Sequence, residues 1–190
     1  MILYKKVDSV YFPQYDTIPM LVHVASYYRL EKINRGLGGI NLVETPIEPY
    51  IKDMSVYEIA TEYEKQFNIS NWAVFMAFED ETPVGGVTVV SRTKDVIMLT
   101  DRDDLAILWD IRVADTHKRQ GIGQTLFNMV VEWSKSQGLK QMKIECQNIN
   151  IAACNFYHKQ GAALSAFDEY AYYNEPECRH EVQLIWFLDF

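Results

Sequence analysis

The period of the apolar positions changes several times along the chain, and each change predicts an element. Val56, Ile59, Ala60, Tyr63 and Phe67 recur at helical spacing behind a Ser55–Glu58 pair of the capping-box type, which predicts a helix over 55–67. Residues 72–78 and 84–91 are apolar runs rich in β-branched and aromatic side chains. The polar turn 79–83 separates them, so they predict an antiparallel hairpin. Gly85 and Gly86 weaken the start of the second run or mark a bulge. Residues 105–113 predict a further strand, entered from the acidic loop 101–104.

Ile122, Leu126, Met129, Val130 and Trp133 then form the apolar stripe of a helix over 121–137, with Gly138 placed to end it. Met142, Ile144 and Cys146 alternate with Lys143 and Glu145 as a strand over 140–146 would. Asn150 is placed to cap a short helix that Gly161 closes, and two strands over 163–173 and 181–190 complete the chain. Upstream, 22–33 suits a strand better than a helix. The glycine-rich loop 36–39 lacks the Lys-Ser/Thr of a phosphate-binding P-loop. A helical lead-in, a hairpin, then strand-helix-strand-helix-strand-strand is the order of an α+β (mixed α/β) sheet protein.

Composition narrows the class. A chain of 190 residues with 48% hydrophobic and 13% aromatic side chains can bury a core as one domain, with 1–50 as a variable N-terminal part and 72–190 as the core. Apolar runs are far shorter than the ~18 residues of a membrane helix, and no apolar stretch follows the basic start as in a secretory signal. Three cysteines, Cys146, Cys154 and Cys178, are too few for a disulfide framework and suit a reducing cytoplasm. The net charge of −8 disfavours nucleic acid as a partner. It would draw in a cationic ligand, or it serves solubility alone. His23, His117, His158 and His180 show no ligand spacing, so no metal is expected.

The stretch with chemistry is 111–123. A strand ends, a polar loop turns, and Gly121 and Gly123 open a long helix. The first turn of a helix carries unpaired N–H groups and the positive end of its dipole. Glycines let an anion approach that backbone, Lys118 and Arg119 add charge, and a pyrophosphate would sit well there. The alternative is an ordinary turn with solvated basic residues. A dinucleotide fingerprint is excluded, because its third glycine would fall at Leu126.

Lys118-Arg119-Gln120-Gly121-Ile122-Gly123 resembles the acyl-CoA-binding motif of the GNAT superfamily, Arg/Gln-x-x-Gly-x-Gly/Ala, with lysine as a departure at the first position. A second stretch, Asn150, Ala153, Phe156, Tyr157 and Gly161, resembles the superfamily's Asn-x-x-Ala-x-x-Phe-Tyr-x-x-x-Gly in the expected order. The resemblance implies a mostly antiparallel sheet of six to seven strands flanked by helices, whose fourth and fifth strands splay apart around acetyl-CoA. It implies cofactor contacts from Ile111, Arg112 and Val113, from Lys118, Arg119, Gln120, Gly121, Ile122, Gly123, Gln124 and Thr125, and from Asn150, Ala153, Asn155 and Tyr157.

Acetyl transfer to an amine needs a neutral nucleophile, a stabilised oxyanion and a protonated thiolate. The resemblance assigns the oxyanion to backbone N–H groups near 111–113 and thiolate protonation to Tyr157. A phenol with a pKa of about 10 can supply a thiolate whose conjugate acid lies near about 8.5; the other reading of Tyr157 is a core aromatic. Asp110 and Glu145, on the two strands that would splay, are the candidate bases or else surface charges. Cys146 and Cys154 read as buried small residues rather than nucleophiles.

The endings 185–190 and 145–147, with 156–158 and 48–52, are similar to the streptothricin acetyltransferases. That implies a small cationic amine as acceptor, the β-lysine amine of a streptothricin. Acidic residues at 101–104, Asp168, Glu169, Glu175 and Glu177, with Tyr170, Tyr172 and Tyr173, could meet such a cation or be ordinary surface and core. A protein N-terminus or lysine, a polyamine, or a non-enzymatic acyl-CoA-binding module stays open. So does a homodimer.

Overall fold

A computed structural model describes all 190 residues. Along the chain run β1 (Ile2–Val7), α1 (Phe12–Tyr15), β2 (Leu21–Lys32), β3 (Ile40–Asp53), α2 (Tyr63–Gln66), β4 (Ala73–Glu79), β5 (Thr82–Ser91), β6 (Leu105–Val113), α3 (Ile122–Ser136), β7 (Gln141–Gln147), α4 (Ile151–Lys159), β8 (Ala163–Asp168) and β9 (Gln183–Asp189). The strand order β1-β4-β5-β6-β7-β9-β8 makes a mostly antiparallel seven-stranded sheet, and β2 pairs with β3. This is the mixed α+β class that the apolar pattern and the resemblance predict. No helix is long and apolar enough to cross a membrane.

The chain divides into two compact units. The first holds residues 1–21, 53–144 and 188–190. Its strands β1, β4, β5 and β6 pair antiparallel, and β6 pairs parallel with the start of β7. Strands β4 and β5 are buried on both faces, which their unbroken apolar runs require. The two adjacent glycines of β5 answer two different neighbours. A Cβ on Gly85 would lie 3.0 Å from Ile122 Cγ2 of α3, and one on Gly86 would lie 2.4 Å from the ring of Tyr15 of α1. Successive strand residues face opposite sides, so this pair lets a helix and an aromatic ring close on the sheet from both faces. A bulge is present as well: Ala77 pairs with Gly85 and Phe78 with Pro83, so Val84 is the extra residue.

The second unit holds residues 22–52 and 145–187. Asn148, 3% exposed, ties it together. Its backbone N–H and C=O pair with Val182 O and Tyr28 N, while its side-chain amide donates to Tyr28 O and accepts from Val182 N, all at 2.8–2.9 Å. Four bonds on one buried residue satisfy both the side chain and the strand edges it joins.

Several elements differ from the pattern. The lead-in is a strand, β1, before it is helical. Residues 40–53 form a strand that the pattern does not predict, and 163–173 stops being a strand at Asp168. The helix over 55–67 is absent beyond a 3-10 turn at Ala60–Glu62 and the four residues of α2. The reason is long-range. The Asp16 carboxylate accepts from the N–H groups of Ala60 at 2.6 Å and Thr61 at 3.1 Å, so helical winding begins there. Ser55 turns back to Asp53, and Glu58 bonds to Trp109 instead of capping.

Gly86→Ala is expected to cost about 1–3 kcal/mol of stability, because the new methyl must displace the Tyr15 ring. Denaturant titration measures this, and the cost should shrink in a Tyr15→Ala background if the ring is the cause.

Candidate active site

Strand β6 is paired unequally on its two sides. Its bonds to β5 run as far as Val113, whereas its registered pairing with β7 ends at Leu108 opposite Ile144. Asp110 pairs with Thr88 and Leu108 with Val89, so Trp109 is an inserted residue. A bulge turns a strand and interrupts the ladder. Here it falls where the registered pairing of β6 with β7 ends, the point at which the resemblance expects the two strands to splay. Beyond it the backbone of 109–113 has β5 on one side and no registered partner strand on the other.

After the strand, the chain turns through a short 3-10 segment at Asp115–His117 and enters α3. Arg119 and Gly121 both have positive φ, 63° and 83°. Left-handed residues in a turn aim successive N–H groups inward and form an anion-binding concavity; a non-glycine held there is strained. No side chain caps α3. Thr125 N–H already bonds to Gly121 O, closing the first helical bond, and the N–H groups before it stand at the free end of a 15-residue helix. A Cβ on Gly123 would meet only Val113 Cγ2 at 3.6 Å, so packing does not demand glycine there and the backbone stays approachable. The chemistry of a pyrophosphate fits this corner.

The other predicted contacts are sorted by what they already hold. The Lys118 ammonium bonds Leu21 O at 2.8 Å and Asp115 Oδ1 at 2.5 Å, so it ties the loop down rather than standing ready for phosphate. The Gln120 side chain bonds Thr116 O, Gln124 bonds Asn128, and Arg119 is exposed. Ile122 is core.

Asp110 and Arg112 are placed differently from the expectation. Asp110 does not reach an open cleft. Its side chain and that of Arg112 are both fully buried, with Arg112 Nε 2.8 Å and Nη2 2.5 Å from Asp110 Oδ2. The Tyr15 hydroxyl donates to the same oxygen at 2.9 Å, and the Arg112 guanidinium lies 4.9 Å from the Tyr15 ring centre. Burial pushes the Asp110 carboxyl up from its ordinary value, while Arg112 and Tyr15 pull it back. A carboxylate so enclosed is a structural ion and a poor proton acceptor for a substrate. Arg112 also donates to Ile18 O and Glu58 O, so it fastens two N-terminal segments to β6.

In the second unit, Glu145 is half-buried on β7 and accepts from the Tyr172 hydroxyl at 2.8 Å. Gln147 donates to the same hydroxyl at 3.4 Å. Burial, and then the Glu145 charge, holds the Tyr172 phenol well above its ordinary value, so it remains a donor to Glu145. Tyr172 belongs to the turns after β8, not to a strand, and composition gave no signal of its bond to Glu145. Tyr157 is buried on α4 with Phe156 edge-on at 5.7 Å. Asn150 caps α4 through Ala153 N–H at 3.1 Å, and Asn155 is exposed. Cys146 and Cys154 lie buried with their sulfurs 3.6 Å apart, and this contact, then burial, pushes the Cys146 thiol up and away from nucleophilic use.

A bulged strand that leaves its parallel neighbour, followed by a glycine-opened helix N-terminus, is the arrangement of an acyl-CoA-dependent transferase. The sequence agrees: residues 42–162, more than half of the chain, match the acetyltransferase (GNAT) family, and the chain belongs to it. The protein is accordingly an acetyl-CoA-dependent N-acetyltransferase. It is 26% identical over 143 residues to streptothricin acetyltransferase A of Bacillus subtilis (strain 168), covering 75% of each chain. It is 28% identical over 149 residues to a streptothricin acetyltransferase of Escherichia coli, covering 78% of this chain and 76% of that one. Among solved structures, nourseothricin acetyltransferase shares the fold with a TM-score of 0.78 at 19% identity, over 99% of this chain and 98% of that one. A Bacillus anthracis protein in complex with acetyl coenzyme A also gives 0.78, at 22% identity over 100% and 98%.

Asp110→Ala is expected to destabilise the fold by about 3–5 kcal/mol, because it strands a buried guanidinium. Denaturant unfolding of Asp110→Ala beside Asp110→Ala/Arg112→Leu tests this. The double variant should recover much of the loss.

Proposed function

We propose that the acceptor is a small cationic amine of the streptothricin type, acetylated on the amine of its β-lysine part. The observation that carries the acyl-transfer half of this reading is the departure of β6 from β7 at Leu108, next to the uncapped N-terminus of α3. The similarity to streptothricin acetyltransferases over three quarters of the chain supports the acceptor. So does the net charge of −8.

In this reading the N–H groups opening α3, with Gly121 and Gly123, receive the pyrophosphate of acetyl-CoA. Backbone groups of 109–113 receive the pantetheine arm and polarise the thioester carbonyl. Glu145 accepts the proton of the attacking amine, and Tyr157 donates a proton to the departing thiolate. Glu145 is preferred to Asp110 because its carboxylate is half-exposed and oriented by one neutral donor, Tyr172, whereas that of Asp110 is enclosed by Arg112 and Tyr15. Asn150 shapes the start of α4 by capping it, with Ala153 and Asn155 following on its first turns. Three free cysteines suit a reducing cytoplasm as the site of the reaction.

Release of free CoA across a panel of streptothricin, a polyamine, a lysine peptide and a free-N-terminus peptide tests the acceptor. Streptothricin should show the highest kcat/KM, and expression should protect a sensitive host. Preference for either peptide would replace this acceptor with a protein, and no turnover on any amine would overturn the reading. Glu145→Gln and Tyr157→Phe should each lower kcat about 10²- to 10⁴-fold while leaving acetyl-CoA affinity intact. Stopped assays with calorimetric acetyl-CoA titration separate the two effects.

A further inference from the structure

We propose that Glu58 is the recognition site for a second, non-reacting ammonium of the acceptor, and that it makes the enzyme selective for amines with two positive charges. The inference rests on the N-acetyltransferase reading, and it concerns a residue that neither motif contains.

Three observations meet at this side chain. Glu58 Oε2 accepts a 2.9 Å bond from the indole N–H of Trp109, the residue inserted at the bulge of β6. Trp109 itself is walled by Trp72 and Phe67, with ring centres 5.4 and 5.6 Å away. A half-buried carboxylate is thus held against a half-buried tryptophan at the strand position where pairing with β7 has ended. The second observation is rigidity. Arg112 Nη2 binds Glu58 O at 2.9 Å, and Asp16 fixes the next N–H groups, at Ala60 and Thr61. The carboxylate is therefore presented in one place rather than on a waving loop. The third is what surrounds it. Val56, Tyr57 and Ile59 are 63%, 47% and 43% exposed, an apolar stretch left on the surface around a single acid.

A half-buried carboxylate in an apolar and aromatic surround recognises an alkylammonium through an ion pair that the lowered local dielectric strengthens. The reacting amine is the one that meets Glu145, which takes its proton. The cation on Glu58 is therefore a second ammonium of the same molecule, while the first reaches the backbone of 109–113. Glu58→Gln removes the charge and keeps an amide oxygen that can accept from Trp109.

The test compares 1,5-diaminopentane with pentylamine, which differ only in the second ammonium, on wild type and Glu58→Gln. Two readings are taken: kcat/KM from CoA release, and the affinity for each amine from the shift of the Trp109 indole N–H resonance in the CoA-bound protein. Wild type should favour the diamine about tenfold in both, and Glu58→Gln should collapse the ratio towards one by raising KM and Kd for the diamine. Retention of the preference in Glu58→Gln, or its absence from wild type, overturns the subsite. Failure of both simple amines as acceptors leaves acetyl transfer itself to the amine panel above. The indole titration then still decides for or against Glu58.

Discussion

Arg112 and Asp110 occupy the same face of one strand, two residues apart, with no access to water. A buried guanidinium is tolerable only when it is well hydrogen-bonded, and here Asp110 takes two bonds while Ile18 O and Glu58 O take one each. That requirement fixes much else. Tyr15 must close over the pair, so β5 must carry glycine at 86. The segments that end at Ile18 and pass through Glu58 are drawn to the end of β6. The last residues of β6 are held rigidly against β5 just where they no longer have β7. Charge buried at this expense of desolvation stabilises a particular geometry more than it stabilises the fold.

The geometry it holds is a strand end with one edge open, followed by a helix with its N-terminus open. Each is a set of backbone donors left over by secondary structure. Side chains are used sparingly. The Lys118 side chain, expected from the sequence to add charge here, secures the loop to Asp115 and Leu21. The charge at this corner comes chiefly from aligned N–H groups, and the left-handed Arg119 and Gly121 aim them.

Where the determinants were local, the sequence could be read. Helix α3, its glycines, strands β4 to β7 and the Asn150 cap of α4 each follow from spacing within a dozen residues, and so does the family. What was missed depends on contacts far along the chain. Asp16 starts a helical turn 44 residues away at Ala60, and this overrides the Ser55–Glu58 capping signal. Strand β3 carries Pro46 and Pro49 and pairs only with β2, so its pattern lacks the alternation of a sheet core. Asp110 looked like a base because its position beside the bulge was legible, while the arginine two residues on and the tyrosine 95 residues back that enclose it were not recognisable as its partners. Tyr172 is a candidate cation contact in the sequence, but its bond to Glu145 is illegible there for the same reason, because it comes from an irregular turn.

In the proposed function, acetyl-CoA is held by backbone donors at the end of β6 and the start of α3. Amide chemical-shift mapping with ¹⁵N-labelled protein and CoA tests it directly. The largest shifts should fall on the N–H groups of 109–113 and 121–125, and Gly123→Pro, which removes one of those donors, should weaken binding by about tenfold or more. Shifts concentrated elsewhere, with 121–125 unmoved at saturating CoA, would contradict that placement.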